Sequence, residues 1–427
     1  MLAISVLLST ALAAPAPAAP AAPRQSPDSL SPAAQRVLAD VRYLSADARD
    51  GRGPGTQGLE DAARHVAEAF RRAGLKPAAD TSFFQRFAVP VDAPVAVHTT
   101  LGGTRLENVV AVLPGRDRSL QGEVVLVGAH YDHVGLGHFG SLDADSTGRV
   151  HNGADDNASG TAALLEIARR LGPRRPARTI VFIAFSGEEL GTLGSAHFVK
   201  HPLVQPIDSI YAMINLDMVG RLRNERLLAL GAGTAREFAP LLDSLNRAAG
   251  FDLRASGDGW GPSDHAPFFA AKRPVLHFFT DLHEDYHRST DDVDKINAVG
   301  IARIARFVTD VVWALANRAA PLTFVDAPPP AASAGGPGYG AYLGTIPDMT
   351  GSPGGVRLSG VRAASPADQA GLKAGDVIIA IGAKTVANLY DMTEALRSHA
   401  PGDTVVILAK RGGAEIRVTA VLGKRGS

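Results

Sequence analysis

Five short apolar runs, NVVAVLPG, EVVLVGAH, TIVFIAFS, IYAMINLD and PVLHFFT, punctuate residues 108–280. Between them lie ASGTAALLEIARRL, GTLGSAHFVK and EFAPLLDSLNRAAG, whose apolar residues recur at helical spacing. Strands that are apolar on both faces must be covered on both faces. Their alternation with helices predicts an α/β sandwich around a mostly parallel, mixed sheet. Upstream, SPAAQRVLADVRYLS reads as a helix capped by Ser31, and GLEDAARHVAEAFRRAGL as a second amphipathic helix after the glycine-rich turn GRGPGTQG. That turn lacks the strand and Lys-Ser/Thr signature of a phosphate loop and reads as a tight connection at the rim of the site. VDKINAVGIARIARFVTDVVWALAN is the long helix that closes the domain.

The chain has 427 residues, with 43 basic and 43 acidic side chains, so no nucleic-acid-binding surface or acidic-lipid anchor is indicated. It contains no cysteine, which excludes disulfides, thiolate metal ligands and a lipid-modified cysteine. LAISVLLSTALA is too short to span a membrane and ends in small residues, as a secretory leader does. The Ala/Pro tract after it cannot continue a helix. These features predict residues 1–25 as a signal peptide and spacer of an exported protein, secreted or periplasmic, without a membrane span. Residues 26–318 then form the α/β domain, 319–337 a Pro/Gly/Ala-rich linker, and 338–427 a small β-rich domain.

Metal-ligand-type residues sit where the predicted strands end: His130 in GAHYDHVG, Asp155 in GADDNASG, Glu189 in FSGEEL, Asp217 in NLDM and His287 in DYHRST. The carboxyl edge of an open α/β sheet is where ligands bind. Two imidazoles and three carboxylates suffice to hold two divalent cations around one shared oxygen ligand. Glu188, beside one ligand, supplies a carboxylate for proton transfer, and Asp132, two residues after His130, a partner for the other ring nitrogen. The set predicts metal-assisted hydrolysis. His283 and His265 lie close enough in sequence to compete for the last ligand position. His133, His138, His151, His197, His201 and His277 are read as ordinary structural histidines.

In order, HYDHVG, GADDNASG, FSGEELG, NLDMVG, GPSDHAPF and YHRSTDD resemble the M28 family of zinc aminopeptidases over residues 31–317. The resemblance implies a zinc-exopeptidase-like fold and two Zn2+, with Co2+ or Mn2+ as substitutes. Asp155 would bridge them, one ion taking His130 and Asp217 and the other Glu189 and His287. Glu188 would be the general base, Asp132 the support of His130, Tyr286 a group polarising the substrate carbonyl, and Met218 part of the first side-chain pocket. A cis bond between Asp155 and Asp156 would follow the family habit. The connection from Phe87 to Glu123 leaves no room for the protease-associated insert of some relatives. Peptides would be the substrates, trimmed at their N-termini. The alternatives are a single-zinc glutaminyl cyclase, a carboxypeptidase, and a binding or scaffold protein with a vestigial catalytic domain.

The last ninety or so residues resemble a bacterial PDZ domain through GAYLGTIPD, SPADQAGLKAGDVIIAIGAKTV, LYDMTEALRSH and DTVVILAKRGG. The resemblance implies a carboxylate-binding loop at Tyr342, Leu343, Gly344 and Thr345. Peptide or protein C-termini would be its partners, added as a strand.

Overall fold

The computed structural model describes residues 30–423 except 79–80, 92–98, 121, 144–147, 328–340, 348–353, 363, 387–390, 393–394 and 397. The leader, most of the linker and much of LYDMTEALRSH lie outside the described residues.

Two helices open the first domain. Ser31 caps α1 (Pro32–Leu44) by accepting from Ala34 N, and Pro32 fits the first turn, where no N–H partner is needed. Thr56 caps α2 (Gln57–Arg72) by accepting from Leu59 N at 3.2 Å. There follow β1 (Lys76–Pro77), β2 (Phe84–Ala88), β3 (Arg105–Leu113), β4 (Val124–His130), α3 (Gly160–Leu171), β5 (Thr179–Phe185), α4 (Leu193–Lys200) and β6 (Ile210–Leu216). The domain is completed by β7 (Arg226–Leu230), α5 (Phe238–Ala249), β8 (Asp252–Ser256), α6 (His265–Ala270), β9 (Val275–Phe279) and α7 (Ala298–Asn317).

These strands form one nine-stranded sheet in the order β1-β3-β5-β4-β6-β9-β7-β8, with β2 also on β3. At its centre β5, β4, β6 and β9 run parallel, so their carboxyl ends open on the same edge. β3 is antiparallel to β5, and β7 is antiparallel to β9. The mixed sheet predicted from the apolar runs is therefore present. The strands β1, β2, β7 and β8, none of them among the five apolar runs, extend it at the flanks.

The two-residue period of each strand divides its side chains between two cores. Val125, Val127 and Ala129 of β4 and Ile180 and Phe182 of β5 face α1, α2, α3 and α7. Val124 and Leu126, with Val181, Ile183 and Phe185, face Phe198 of α4 and Phe268 and Phe269 of α6. Among the described residues no helix is long and apolar enough to cross a membrane.

The second domain has its own sheet of β10 (Thr345–Pro347), β11 (Val356–Val361), β12 (Val377–Ile381), β13 (Lys384–Thr385), β14 (Thr404–Arg411) and β15 (Ala414–Val421). The short helix α8 (Pro366–Gln369), capped by Ser365, lies between β11 and β12. Leu343, Leu358, Leu372, Ile378, Ile381, Ile407 and Leu422 make a core separate from the first. Among the described residues every strand pair in this sheet is antiparallel, and β10 is an edge.

Phe182 is fully buried at the sheet centre, so Phe182→Ala should cost about 3–5 kcal/mol in urea unfolding, whereas Thr56→Ala should cost about 1 kcal/mol. In the second domain, Arg411 donates from Nε and Nη2 to the two oxygens of buried Asp376, each at 2.7 Å, and holds its pKa below the usual carboxylate range. A folded-state pKa below the unfolded one stabilises above the unfolded value, about 3.9, and that contribution disappears as pH falls through the folded value. Wild type should therefore lose more of this domain's stability than Asp376→Asn between about pH 5 and pH 3. Hydrogen exchange of the β12 and β14 amides in the full chain measures the difference.

Candidate metal centre

His130 is the last residue of β4, Glu188 and Glu189 follow β5, and Asp217 follows β6. Parallel strands bring all of them to one edge. His287 lies beyond β9, in a loop tied to the segment after β4 by the bond that Leu142 N donates to His287 O at 2.9 Å.

His130 Nε2 stands 3.2 Å from Asp217 Oδ1 and 3.4 Å from Asp156 Oδ1. His287 Nε2 stands 3.0 Å from Glu189 Oε2 and 3.2 Å from Asp156 Oδ2. One carboxylate, Asp156, thus faces both groups, with one oxygen toward each. Donors about 2.0–2.2 Å from a common tetrahedral ion lie about 3.4 Å apart, so the spacing and the mixture of nitrogen and oxygen fit divalent metal. His130, Asp156 and Asp217 form one such group.

Asp155, expected as the bridge, is not in this cluster. Its Oδ1 accepts from Ser159 Oγ at 2.8 Å and from Gly220 N at 2.6 Å, and its Oδ2 lies 3.1 Å from His283 Nε2. The side chain is turned inward to tie α3 to the segment after β6, and neighbouring Asp156 is turned to the site. The cis peptide bond likewise lies between Asp156 and Asn157, not between Asp155 and Asp156. His283 is occupied with Asp155, and His287 is the histidine that reaches Glu189. His265 stacks on His277 at 4.5 Å, and burial depresses both so that they remain neutral.

Asp132 has a different contact from the one expected. Its oxygens accept from Glu188 N at 3.2 Å and Glu189 N at 3.3 Å, while His130 Nδ1 lies 3.3 Å from its backbone oxygen and 3.8 Å from its carboxylate. It therefore fixes the turn carrying both glutamates. Tyr286 stacks on His287 with ring centroids 3.9 Å apart. Met218, expected to line a pocket, is only 3% exposed and packs on Leu228 and Phe279, with Tyr286 at the half-buried margin of that cluster. Met218 and His287 both have positive φ, 48° and 55°, a conformation that side chains with a Cβ adopt only under constraint.

The charges act on one another strongly. Burial pushes Asp156 up to about 7 and Asp132 to about 6, Glu189 adding to both, and it raises Glu188 well above the ordinary range. Against burial, Asp217 and Glu188 hold His130 well above its usual pKa, and Glu189 and Asp156 bring His287 up to about 10. Carboxylates forced together out of water bind protons or cations to relieve their repulsion.

Four further residues escaped the sequence reading. Asp156 differed from Asp155 only by one place in a DD pair. Ser263 Oγ donates to Asp217 Oδ2 at 2.8 Å and receives Asn215 Nδ2 at 2.9 Å; its motif GPSDHAPF marks the region but assigns no contact. His133, read as structural, lies with Nδ1 2.8 Å from Glu189 Oε1, and burial lowers its pKa to about 3. Arg52, in the turn GRGPGTQG, is fully buried beneath the ligand loop.

In the second domain Tyr342 cannot offer its N–H to a ligand, since it donates to Gly423 O at 2.9 Å. Leu343, Gly344 and Thr345 remain at the start of β10, with Gly344 at φ 83°.

Residues 108–312 match the model of peptidase family M28, and residues 341–422 that of the PDZ domain. Aminopeptidase YwaD of Bacillus subtilis is 32% identical over 201 residues, which is 45% of this chain and 41% of that protein. Leupeptin-inactivating enzyme 1 of Streptomyces exfoliatus is 26% identical over 269 residues, 58% of this chain and 57% of that protein. The chain thus spans about half the length of the curated relatives it matches. Among solved structures, BSAP, a zinc aminopeptidase from Bacillus subtilis, superposes with a TM-score of 0.55 at 20% identity, covering 67% of this chain and 95% of that one. A Zn-dependent exopeptidase from Parabacteroides distasonis gives 0.53 at 23% identity, covering 66% and 97%. They share the fold of the first domain. The mixed sheet with its acids and imidazoles on one edge lies in the segment that matches peptidase family M28, and the antiparallel module in the segment that matches the PDZ domain.

Proposed function

We propose that this protein is an exported metallo-aminopeptidase that removes N-terminal residues from peptides at a two-zinc centre. The observation that carries the reading is Asp156, whose Oδ1 faces His130 and whose Oδ2 faces His287, so that two donor groups share one carboxylate. His130 and Asp217 would hold one ion, and His287 and Glu189 the other. Bound there, zinc supplies Lewis acidity toward a peptide carbonyl and makes water acidic enough to react near neutral pH. Glu188 follows Phe185 on the same turn as Glu189, beside the second donor group. It would accept the water proton and pass it to the leaving amine. Asp132 would hold the Glu188–Glu189 turn in place through both backbone N–H groups. Tyr286, half-buried against His287, would stand at the substrate side.

Export rests on the apolar run LAISVLLSTALA and its Ala/Pro tract. For the PDZ domain, the edge position of β10 supports capture of a peptide C-terminus as an added strand, with Leu343, Gly344 and Thr345 as the carboxylate loop.

A panel of free, N-acetylated and C-amidated peptides, assayed with and without chelator, tests the activity. Free and amidated peptides should be trimmed and acetylated ones spared, with all cleavage lost to chelator; cleavage of acetylated peptides alone would sink the aminopeptidase reading. Glu188→Gln should retain bound metal while lowering kcat by about 10²–10⁴-fold. Asp156→Asn should lose metal. Asp155→Asn should retain it and cost about 1–3 kcal/mol of stability, since its inward hydrogen bonds are impaired. Metal analysis of the purified variants, paired with urea unfolding, separates the two aspartates.

A further inference from the structure

We propose that His133 is a positioning residue for Glu189, holding one carboxylate oxygen so that the other is presented to the second metal position. The inference rests on the two-metal reading above. His133 Nδ1 lies 2.8 Å from Glu189 Oε1, while His287 Nε2 lies 3.0 Å from Glu189 Oε2. The carboxylate is therefore gripped by a different imidazole at each oxygen. A carboxylate oxygen only accepts, so Nδ1 of His133 carries the proton and donates. The same nitrogen is 3.9 Å from Asp156 Oδ2, within the spacing of a donor group, but its nearest acceptor is Glu189 Oε1.

The ring itself is held. It is fully buried, and it meets the His287 ring edge-on with centroids 5.6 Å apart. Gly153, at φ 52°, lies against it: a Cβ on that glycine would stand 2.5 Å from His133 Cδ2. The backbone of His133 is fixed as well, its N–H donating to Arg52 O at 3.1 Å. Among the described residues His133 Nε2 has no hydrogen-bond partner, so the polar contacts of the ring lie on Nδ1, with Glu189 Oε1 the nearest. A buried imidazole with one nitrogen unpaired is costly as packing alone. Its placement is accounted for by the orientation of Glu189.

Groups that orient a metal ligand typically contribute 10–100-fold in metal affinity. The test titrates metal-free full-length protein with Zn2+ by calorimetry, with metal content measured independently. In His133→Ala the second ion should bind about 10–100-fold more weakly and the first unchanged. In His133→Asn, whose amide nitrogen occupies the place of Nδ1, most of the affinity should return. Wild-type affinity for both ions in the Ala variant would overturn the proposal. So would equal weakening in the Ala and Asn variants with native thermal stability, because packing and not the hydrogen bond would then be responsible. Wild-type protein that binds fewer than two ions would instead remove the two-metal reading on which the proposal stands.

Discussion

Arg52 is the interaction on which the site depends. Its guanidinium donates to the backbone oxygens of Leu44, Tyr131, Asn152, Gly153 and Asp156, at 2.7–3.3 Å. These oxygens belong to the end of α1, the exit of β4 and the loop that carries Asp156. A single planar fork therefore joins three segments far apart in sequence, which is a task suited to arginine's fixed donors. Burial lowers its pKa to about 10, with Asp156 and Asp132 opposing, so it is charged at neutral pH. The glycines around it make the approach feasible: a Cβ at Gly51 would lie 2.4 Å from Gly135 O.

That buried cation also addresses an electrostatic difficulty. Asp132, Asp156, Glu188, Glu189 and Asp217 converge at one sheet edge, where charge is expensive without partners. The structure surrounds them with donors. Asp132 takes two backbone N–H groups, Asp217 takes Ser263, and Glu189 takes His133 and His287. Asp291 fixes the Asp156 loop through the N–H groups of Asp155 and Asp156, and is itself paired with Arg221 at 2.7 Å. The acids are organised by the protein, which reduces the ordering that ligand binding must supply.

The sheet was legible because its central strands are apolar on both faces, a pattern that few other arrangements accommodate. β7 and β8 were not legible, since RLLAL is only a five-residue run and DLRAS is a broken one at the edge, paired with β7 alone. The site was legible as a set of strand ends, and His130, Glu189, Asp217 and His287 do come together. What spacing could not give was the direction of side chains in irregular backbone. Asp155 and Asp156 lie in a segment with non-helical φ/ψ at Asp156 and Asn157, so no period predicts which of the pair turns inward. Arg52 and His133 were missed for a related reason. Both act through tertiary contacts, Arg52 to backbone oxygens up to 104 positions away and His133 to a carboxylate 56 positions away.

The adjacent aspartates show how the fold separates structure from chemistry. Asp155 binds Ser159, Gly220 and His283, all of them within the protein, and its two oxygens are committed there. Asp156 places its two oxygens toward two different imidazoles across the site. Neither arrangement is available to the other residue without reversing the backbone that Asp291 holds at its N–H groups and Arg52 at its carbonyl oxygens. The first aspartate is therefore an anchor for the loop, and the second is free to face a ligand because the first does not.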